Sequence, residues 1–291
     1  MKMKYLRLVA VLLIGGIFLS GCGERRKGVK DVRDVASPRI VSLSPVTTEA
    51  LFALGLGQHI VGVSDKCDFP AEASTFPVAT GKGGVVDAER IARLKPDFVV
   101  AANLPDSVFA ALSQRNMEVM NFSTASLNGI IKSMWILGED FQRADVVTAW
   151  LEGLNDVLRY FKARAPQGGE RPKVMICCAY RKKDIMIAGR GSLYGEILAQ
   201  VGGDNVYQGN AHFAYVQLDG VLTLNPDIII DIVPSTMAKD DAEKVRKRWK
   251  KLSTLNAVKN DRVFVLDETW ATRPGPRVGF LIERFGQIVQ D

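Results

Sequence analysis

The sequence predicts an α/β protein of two similar lobes, with parallel-type sheets covered by helices and one long rigid helix joining them. Three observations carry this prediction. The stretch VDAERIARLKPDFVV at residues 86–100 returns as VQLDGVLTLNPDIII at 216–230, ungapped, at an offset of 130. Strand-like and helix-like patterns alternate through both halves, with apolar runs of the kind that parallel sheets bury on both faces. Residues 144–165, ADVVTAWLEGLNDVLRYFKARA, hold apolar side chains at helical spacing, and the next proline is Pro166.

In chain order, RIVSLSP from Arg39 reads as a short strand ending in a Ser-Pro turn. TTEALFALGLG follows as a helix, with Glu49 placed in its first turn and Gly55 and Gly57 at its stop. HIVGVS is a second strand. DAERIARLK is a helix with Ala88, Ile91, Ala92 and Leu94 spaced for burial; Pro96 ends it and DFVVAA is the next strand. The second half restarts with the strand RPKVMICCAY. GSLYGEILAQVGG then repeats the acid-started helix with a glycine stop, Glu196 standing 147 residues after Glu49. An acid in a first turn complements the helix dipole by about 0.3–1 kcal/mol. LNPDIII closes the second repeat. In the connecting segment Val147, Trp150, Leu151, Leu154, Leu158 and Phe161 share one face. Its 22 residues would span about 33 Å at 1.5 Å each, a stiff strut between lobes.

The expected boundaries are a signal peptide over 1–21, a tether over 22–38, a first lobe over 39–143, the connecting helix over 144–165 and a second lobe over 166–291. Lys2, Lys4 and Arg7 precede the run LVAVLLIGGIFL, which is shorter than the roughly 20 apolar residues a spanning helix needs. The run ends in LSGC, a pattern that resembles a lipoprotein signal in which Cys22 becomes the lipidated first residue of the mature chain. GERRKGVKDVRDVASP behind it reads as a flexible tether.

Net charge is +6, of which the signal supplies +3 and residues 23–34 supply +2, leaving about +1 for 35–291. A basic nucleic-acid footprint is therefore absent from the folded part. Three cysteines remain beyond the signal, Cys67, Cys177 and Cys178, and they read as free thiols. No phosphate-binding G-x-x-x-x-G-K-[ST] and no G-x-S-x-G occurs, and two scattered histidines, His59 and His212, form no triad or metal pair. An enzyme, a resident cofactor and a protein-held metal are not expected.

RIVSLSPVTTEALFALGLG, VGVSDKCDFPAEA, DAERIARLKPDFVV, GGDNVY, LNPDIII and RPGPR, in this order and spacing, resemble the helix-linked (class III) substrate-binding proteins of ABC importers. These are the iron-siderophore, haem and cobalamin binders, and the resemblance covers about residues 38–291. It implies an extracytoplasmic, lipid-anchored monomer on the periplasmic side or the outer face of the cell membrane. Such a protein captures a small molecule between its lobes and passes it to permease subunits that work with a separate ATPase. It further implies that one acid per lobe meets permease arginines, here Glu89 and Asp219, the latter one methylene shorter than the usual glutamate. The ligand is expected among residues at strand ends: Lys66, Lys82, Tyr180, Arg181, Phe213, Tyr215, Trp270 and Arg273. Phe213 and Arg273 match cleft positions of cobalamin binders, whereas Lys66 and Gly83 stand where those proteins carry aromatics. The basic residues favour an anionic ligand, an iron-siderophore or related metal chelate, with a corrinoid or haem as the alternative.

Overall fold

The structure, a computed structural model, describes residues 36–115, 117–166, 168–181, 184–233 and 239–291. The expected signal peptide, Cys22 and most of the tether lie outside the described residues. The first lobe contains β1 (Ile40–Ser42), α1 (Pro45–Ala53), β2 (Ile60–Val63), α2 (Ala88–Arg93), β3 (Phe98–Ala102), α3 (Asp106–Ser113), β4 (Glu118–Phe122) and α4 (Leu127–Asp140). Its strands form one parallel sheet in the order β2-β1-β3-β4. Ser44 caps α1 by accepting from the Thr47 N–H at 3.2 Å, and Asp87 caps α2 from the Arg90 N–H at 3.0 Å, so each helix starts where a side chain satisfies an orphan donor.

α5 (Ala144–Arg164) is the connecting helix, unbroken over 21 residues. Val147, Leu154 and Phe161, seven residues apart, are its buried positions. Beyond it come β5 (Lys173–Arg181), β6 (Asp184–Ala188), α6 (Leu193–Gln200), β7 (Asp204–Asn205), β8 (Phe213–Gln217), α7 (Leu218–Leu224), β9 (Ile228–Ile232), α8 (Lys239–Lys250), α9 (Asn256–Lys259), β10 (Val263–Leu266), α10 (Thr269–Thr272) and α11 (Val278–Gln290). The second sheet runs β10-β9-β5-β6-β8, with β7 beside β5. It corrects the expectation of parallel-type sheets in both lobes, since β5, β6 and β8 pair antiparallel. Only two residues separate β5 from β6, enough for a hairpin and far too few for a parallel crossover.

The opening repeat has a structural cause. Asp97 and Asp227 each accept a hydrogen bond at 3.0 Å from the backbone N–H that leads into a neighbouring strand, Arg39 for β1 and Lys173 for β5. The backbone answers both times, the Asp97 and Asp227 N–H groups donating back to Arg39 and Lys173 carbonyls at 2.8 Å. Pro-Asp thus ends a helix and fixes the start of a parallel strand pair in each lobe.

One apolar core runs through both lobes. Phe98 and Phe141 pack edge-on at 5.7 Å in the first lobe, and the same cluster continues through Val147 and Leu154 to Ile176 and Phe285 in the second. Two glycines let the helices approach. A Cβ on Gly138 would lie 2.4 Å from Val147, and one on Gly286 would lie 2.2 Å from Phe161. α4 and α11 therefore close tightly on opposite ends of α5, which seats the strut in the core along its length.

Candidate functional site

Side chains cross from lobe to lobe at several points. The Arg277 guanidinium donates two hydrogen bonds of 2.7 Å to the two oxygens of Glu49 and a third to Thr269 Oγ1 at 2.9 Å. Both charges are sequestered, with side-chain exposures of 15% and 2%. The ring of Phe69 lies 4.1 Å from the same guanidinium. Burial raises the Glu49 carboxyl above its usual range, against the lowering pull of Arg277. This corrects the first-turn reading of Glu49, because α1 begins at Pro45 and the acid lies beyond its first turn. Glu196, its counterpart in the repeat, also crosses the junction, accepting from the Leu127 N–H at the start of α4 at 2.8 Å. Trp150 Nε1 adds a bond of 2.8 Å to the Pro276 carbonyl.

A cavity of about 310 Å³ opens between the lobes. Thr124 and Ala125, just past β4, form its first-lobe wall, and Ser192, Tyr194, His212, Phe213 and Thr272 line the other side. Phe213 is 45% exposed and Tyr215 is 55% exposed, both on the outward face of the edge strand β8. Arg273, between the lining residues Thr272 and Pro274, reaches across to the first lobe. Its Nη1 lies 2.8 Å from Asp68 Oδ1 and 3.4 Å from the Lys66 carbonyl. Lys66 is exposed, its stem beside Gly84. Gly83 donates its N–H to Asp65 at 2.7 Å, which draws the Lys82–Gly84 turn towards the Lys66 loop. Lys66, Lys82 and Arg273 thus stand on neighbouring segments at the lobe junction.

Other expected site residues lie elsewhere. The Tyr180 hydroxyl bonds the buried Asp231 carboxylate, which also accepts from Trp249 Nε1 at 2.7 Å, and Arg248 covers the tyrosine ring at 4.2 Å. Burial raises both the Tyr180 phenol and the Asp231 carboxyl. Tyr180 lines a separate cavity of about 740 Å³ in the second lobe, and Arg181 closes β5 opposite Asp184 near its rim. Trp270 packs edge-on against Phe280 at 6.3 Å, on the partly buried fringe of the core. Glu89 and Asp219 are exposed in the first turns of α2 and α7, and Asp219 borders the larger cavity.

Among the described residues no group of three or more His, Cys, Asp or Glu side chains is placed to hold a metal ion. Cys67, Cys177 and Cys178 are free, and burial pushes the Cys178 thiol up to about 12, so it is an inert packing group at neutral pH. Sequence reasoning missed Asp68 as the partner of Arg273 and Glu49 as that of Arg277. Neither pairing has a local signal, since the partners stand 205 and 228 residues apart.

Comparisons with known proteins bear on the family and the fold. The sequence model of the family described as periplasmic binding protein matches residues 40–269. The ABC transporter substrate-binding lipoprotein YvrC of Bacillus subtilis (strain 168) is 29% identical over 310 residues, covering 96% of this chain and 95% of that protein. The vitamin B12-binding protein of Vibrio parahaemolyticus is 27% identical over 242 residues, covering 82% of this chain and 84% of that one. Among solved structures, the periplasmic heme-binding protein RhuT of Roseiflexus sp. RS-1 superposes with a TM-score of 0.72 at 21% identity, over 88% of this chain and 98% of that one. The vitamin B12-binding protein BtuF of Vibrio cholerae gives 0.72 at 23% identity, over 87% and 96%. At such identities the two superpositions speak for the two-lobed fold.

Proposed function

The chain belongs to the periplasmic binding protein family, and on that premise we propose that it captures an anionic metal chelate of the iron-siderophore kind between its lobes for an ABC permease. The observation that carries this reading is the junction itself. A cavity with an exposed aromatic, Phe213, includes the two neighbours of Arg273, which reaches the Lys66 loop, and the Lys82 turn is drawn to that same loop. Guanidinium and ammonium groups suit carboxylate or catecholate oxygens, and an aromatic wall suits a flat organic chelate. His212 and Tyr215 flank Phe213 and complete the second-lobe side. Tyr180 and Trp270 are left out of this set because they pack with Asp231 and Phe280, and Arg181 because it stands exposed at the end of β5.

Glu89 and Asp219 are the proposed docking acids. Both are exposed, both stand in a first helical turn, and the repeat puts them at equivalent places, which suits a permease of two like subunits. Cys22 is the proposed lipid anchor, so the protein works on the extracytoplasmic side of a membrane, as a monomer, and catalyses no reaction. A second reading, a corrinoid ligand, is favoured by the match to the vitamin B12-binding protein over 82% of this chain and by the aromatic Phe213 in the cavity.

Tryptophan fluorescence titrations with a ferric siderophore, haem and cyanocobalamin separate the readings. Saturable one-to-one quenching by the ferric chelate, weakened in Arg273→Ala and Lys66→Ala with little loss of thermal stability, supports the first. Preference for cyanocobalamin supports the second. No saturable binding of any of the three overturns both.

A further inference from the structure

A basic helix face stands beside one of the two proposed docking acids. Residues 243–251 hold six basic side chains and one acid, a net +5. Since residues 35–291 carry about +1 in all, the rest of the folded part is net −4, and this segment alone carries the net positive excess. The default for a charge run on a helix is a solvated face, and three features set this one apart.

The first is how the helix is seated. Ala242, Val245 and Trp249 are buried, which turns Arg246, Lys247, Lys250 and Lys251 outward together. Glu243 lies 3.8 Å from Arg246 and 4.0 Å from Lys247, and Lys250 and Lys251 have no acidic partner among the described residues. The second is position. Arg248 and Lys251 share the walls of the 740 Å³ cavity with Leu218 and Asp219, so the basic end of α8 and the docking acid front the same side of the lobe. The third is apolar exposure. Leu218 and Leu222, one turn apart on α7, remain 44% and 40% exposed.

We infer that this side of the second lobe rests on an anionic phospholipid surface. Lys247, Lys250 and Lys251 face headgroup phosphates, and Leu218 sits at the headgroup boundary. Clustered basic residues with exposed leucines are the combination that an anionic interface attracts, each basic group adding roughly fivefold to binding near the surface. An acidic protein would meet the same charges, and the test below separates it from a lipid surface. The inference shares with the proposed function the premise that the protein works at a membrane. It supplies a second attachment beside Asp219, where a lipid anchor alone would leave the lobe free to tumble.

The test uses the mature chain from residue 22 with Cys22→Ser, which removes the anchor and leaves the fold intact. Its binding is measured by flotation with phosphatidylcholine vesicles, with and without roughly one third phosphatidylglycerol, at low and raised salt. Wild-type surface binding should require phosphatidylglycerol and fall with salt. Lys247→Gln/Lys250→Gln/Lys251→Gln should weaken it at least about tenfold, with unchanged melting temperature since all three side chains are exposed. The control Arg159→Gln/Lys162→Gln/Arg164→Gln, removing equal charge from the exposed face of α5, should keep most of the binding. Equal loss in both triple variants would reduce the effect to net charge and overturn the inference, as would equal binding to neutral vesicles. Undiminished vesicle binding in the α8 variant together with lost permease docking in detergent would assign the face to a protein partner instead. Neither ligand nor permease enters the vesicle assay, so its failure is distinct from failure of the proposed function.

Discussion

Replacing Arg277 by methionine should destabilise the fold severely, and the expected size follows from its surroundings. Glu49 is 2% exposed and takes both its charge-assisted hydrogen bonds, 2.7 Å each, from this one guanidinium. Removing one partner of a buried pair costs about 3–5 kcal/mol, because the remaining charge is stranded away from water. For a domain of this size, 1 kcal/mol corresponds to about 2–4 °C, so the midpoint should drop by roughly 6–20 °C. Acid should soften the loss. The Glu49 carboxyl already has a raised pKa from burial, so its protonated form is the one the fold favours, and this contribution is present below the usual carboxylate range and lost as pH rises through the shifted value. Without Arg277 the lowering pull is gone, and the penalty should grow from acid towards neutral pH. The double variant Glu49→Leu/Arg277→Met should recover most of the loss, since no charge is left buried. Thermal or urea unfolding of the two single variants and the double completes the cycle. A single-variant loss below about 1 kcal/mol, a pH-independent loss, or a double variant no better than the singles would refute the assignment of the pair as the lobe lock.

Asp68 competes with any anionic ligand for Arg273, so Asp68→Asn should raise affinity for an anionic chelate severalfold in a fluorescence titration, while lower affinity would make Asp68 a ligand group itself. The strut seated by Gly138 and Gly286 should keep the lobes in place, so ligand should leave the radius of gyration nearly unchanged in X-ray scattering; clear compaction would mean that α5 bends. Cys22→Ser should abolish fatty-acid labelling and release the mature chain from membranes, and persistent labelling would move the anchor elsewhere.

The fold was legible where physical chemistry acts locally. The Pro-Asp repeat announced β3 and β9 because the same short segment must both end a helix and tie down a strand, as Asp97 and Asp227 do. The heptad of Val147, Leu154 and Phe161 announced α5 because burial on one face needs that spacing. Ala92, spaced for burial in the sequence, is exposed, since a six-residue helix needs little more than Ile91 to hold it. The antiparallel turn at β6 was missed because a strand's direction depends on the length of its connection, which apolar pattern does not encode. Within the proposed site, Phe213 and Arg273 were singled out through the resemblance to cobalamin binders. The commitment of Tyr180 to Asp231, and of Arg273 to Asp68, depends on partners brought together by folding alone.

The account rests most heavily on two acids at one place in two copies of one unit, serving delivery and leaving capture alone. Uptake by cells and ligand affinity of the purified protein, measured on the same Glu89→Ala/Asp219→Ala variant, test it directly. Exposed ion pairs contribute about 0.2–1 kcal/mol each, so one substitution should slow uptake modestly, and both together should impair it clearly, with charge reversal to lysine worse still. Affinity should stay at the wild-type value throughout. Loss of affinity and uptake together, or full uptake in the double variant, would contradict the account.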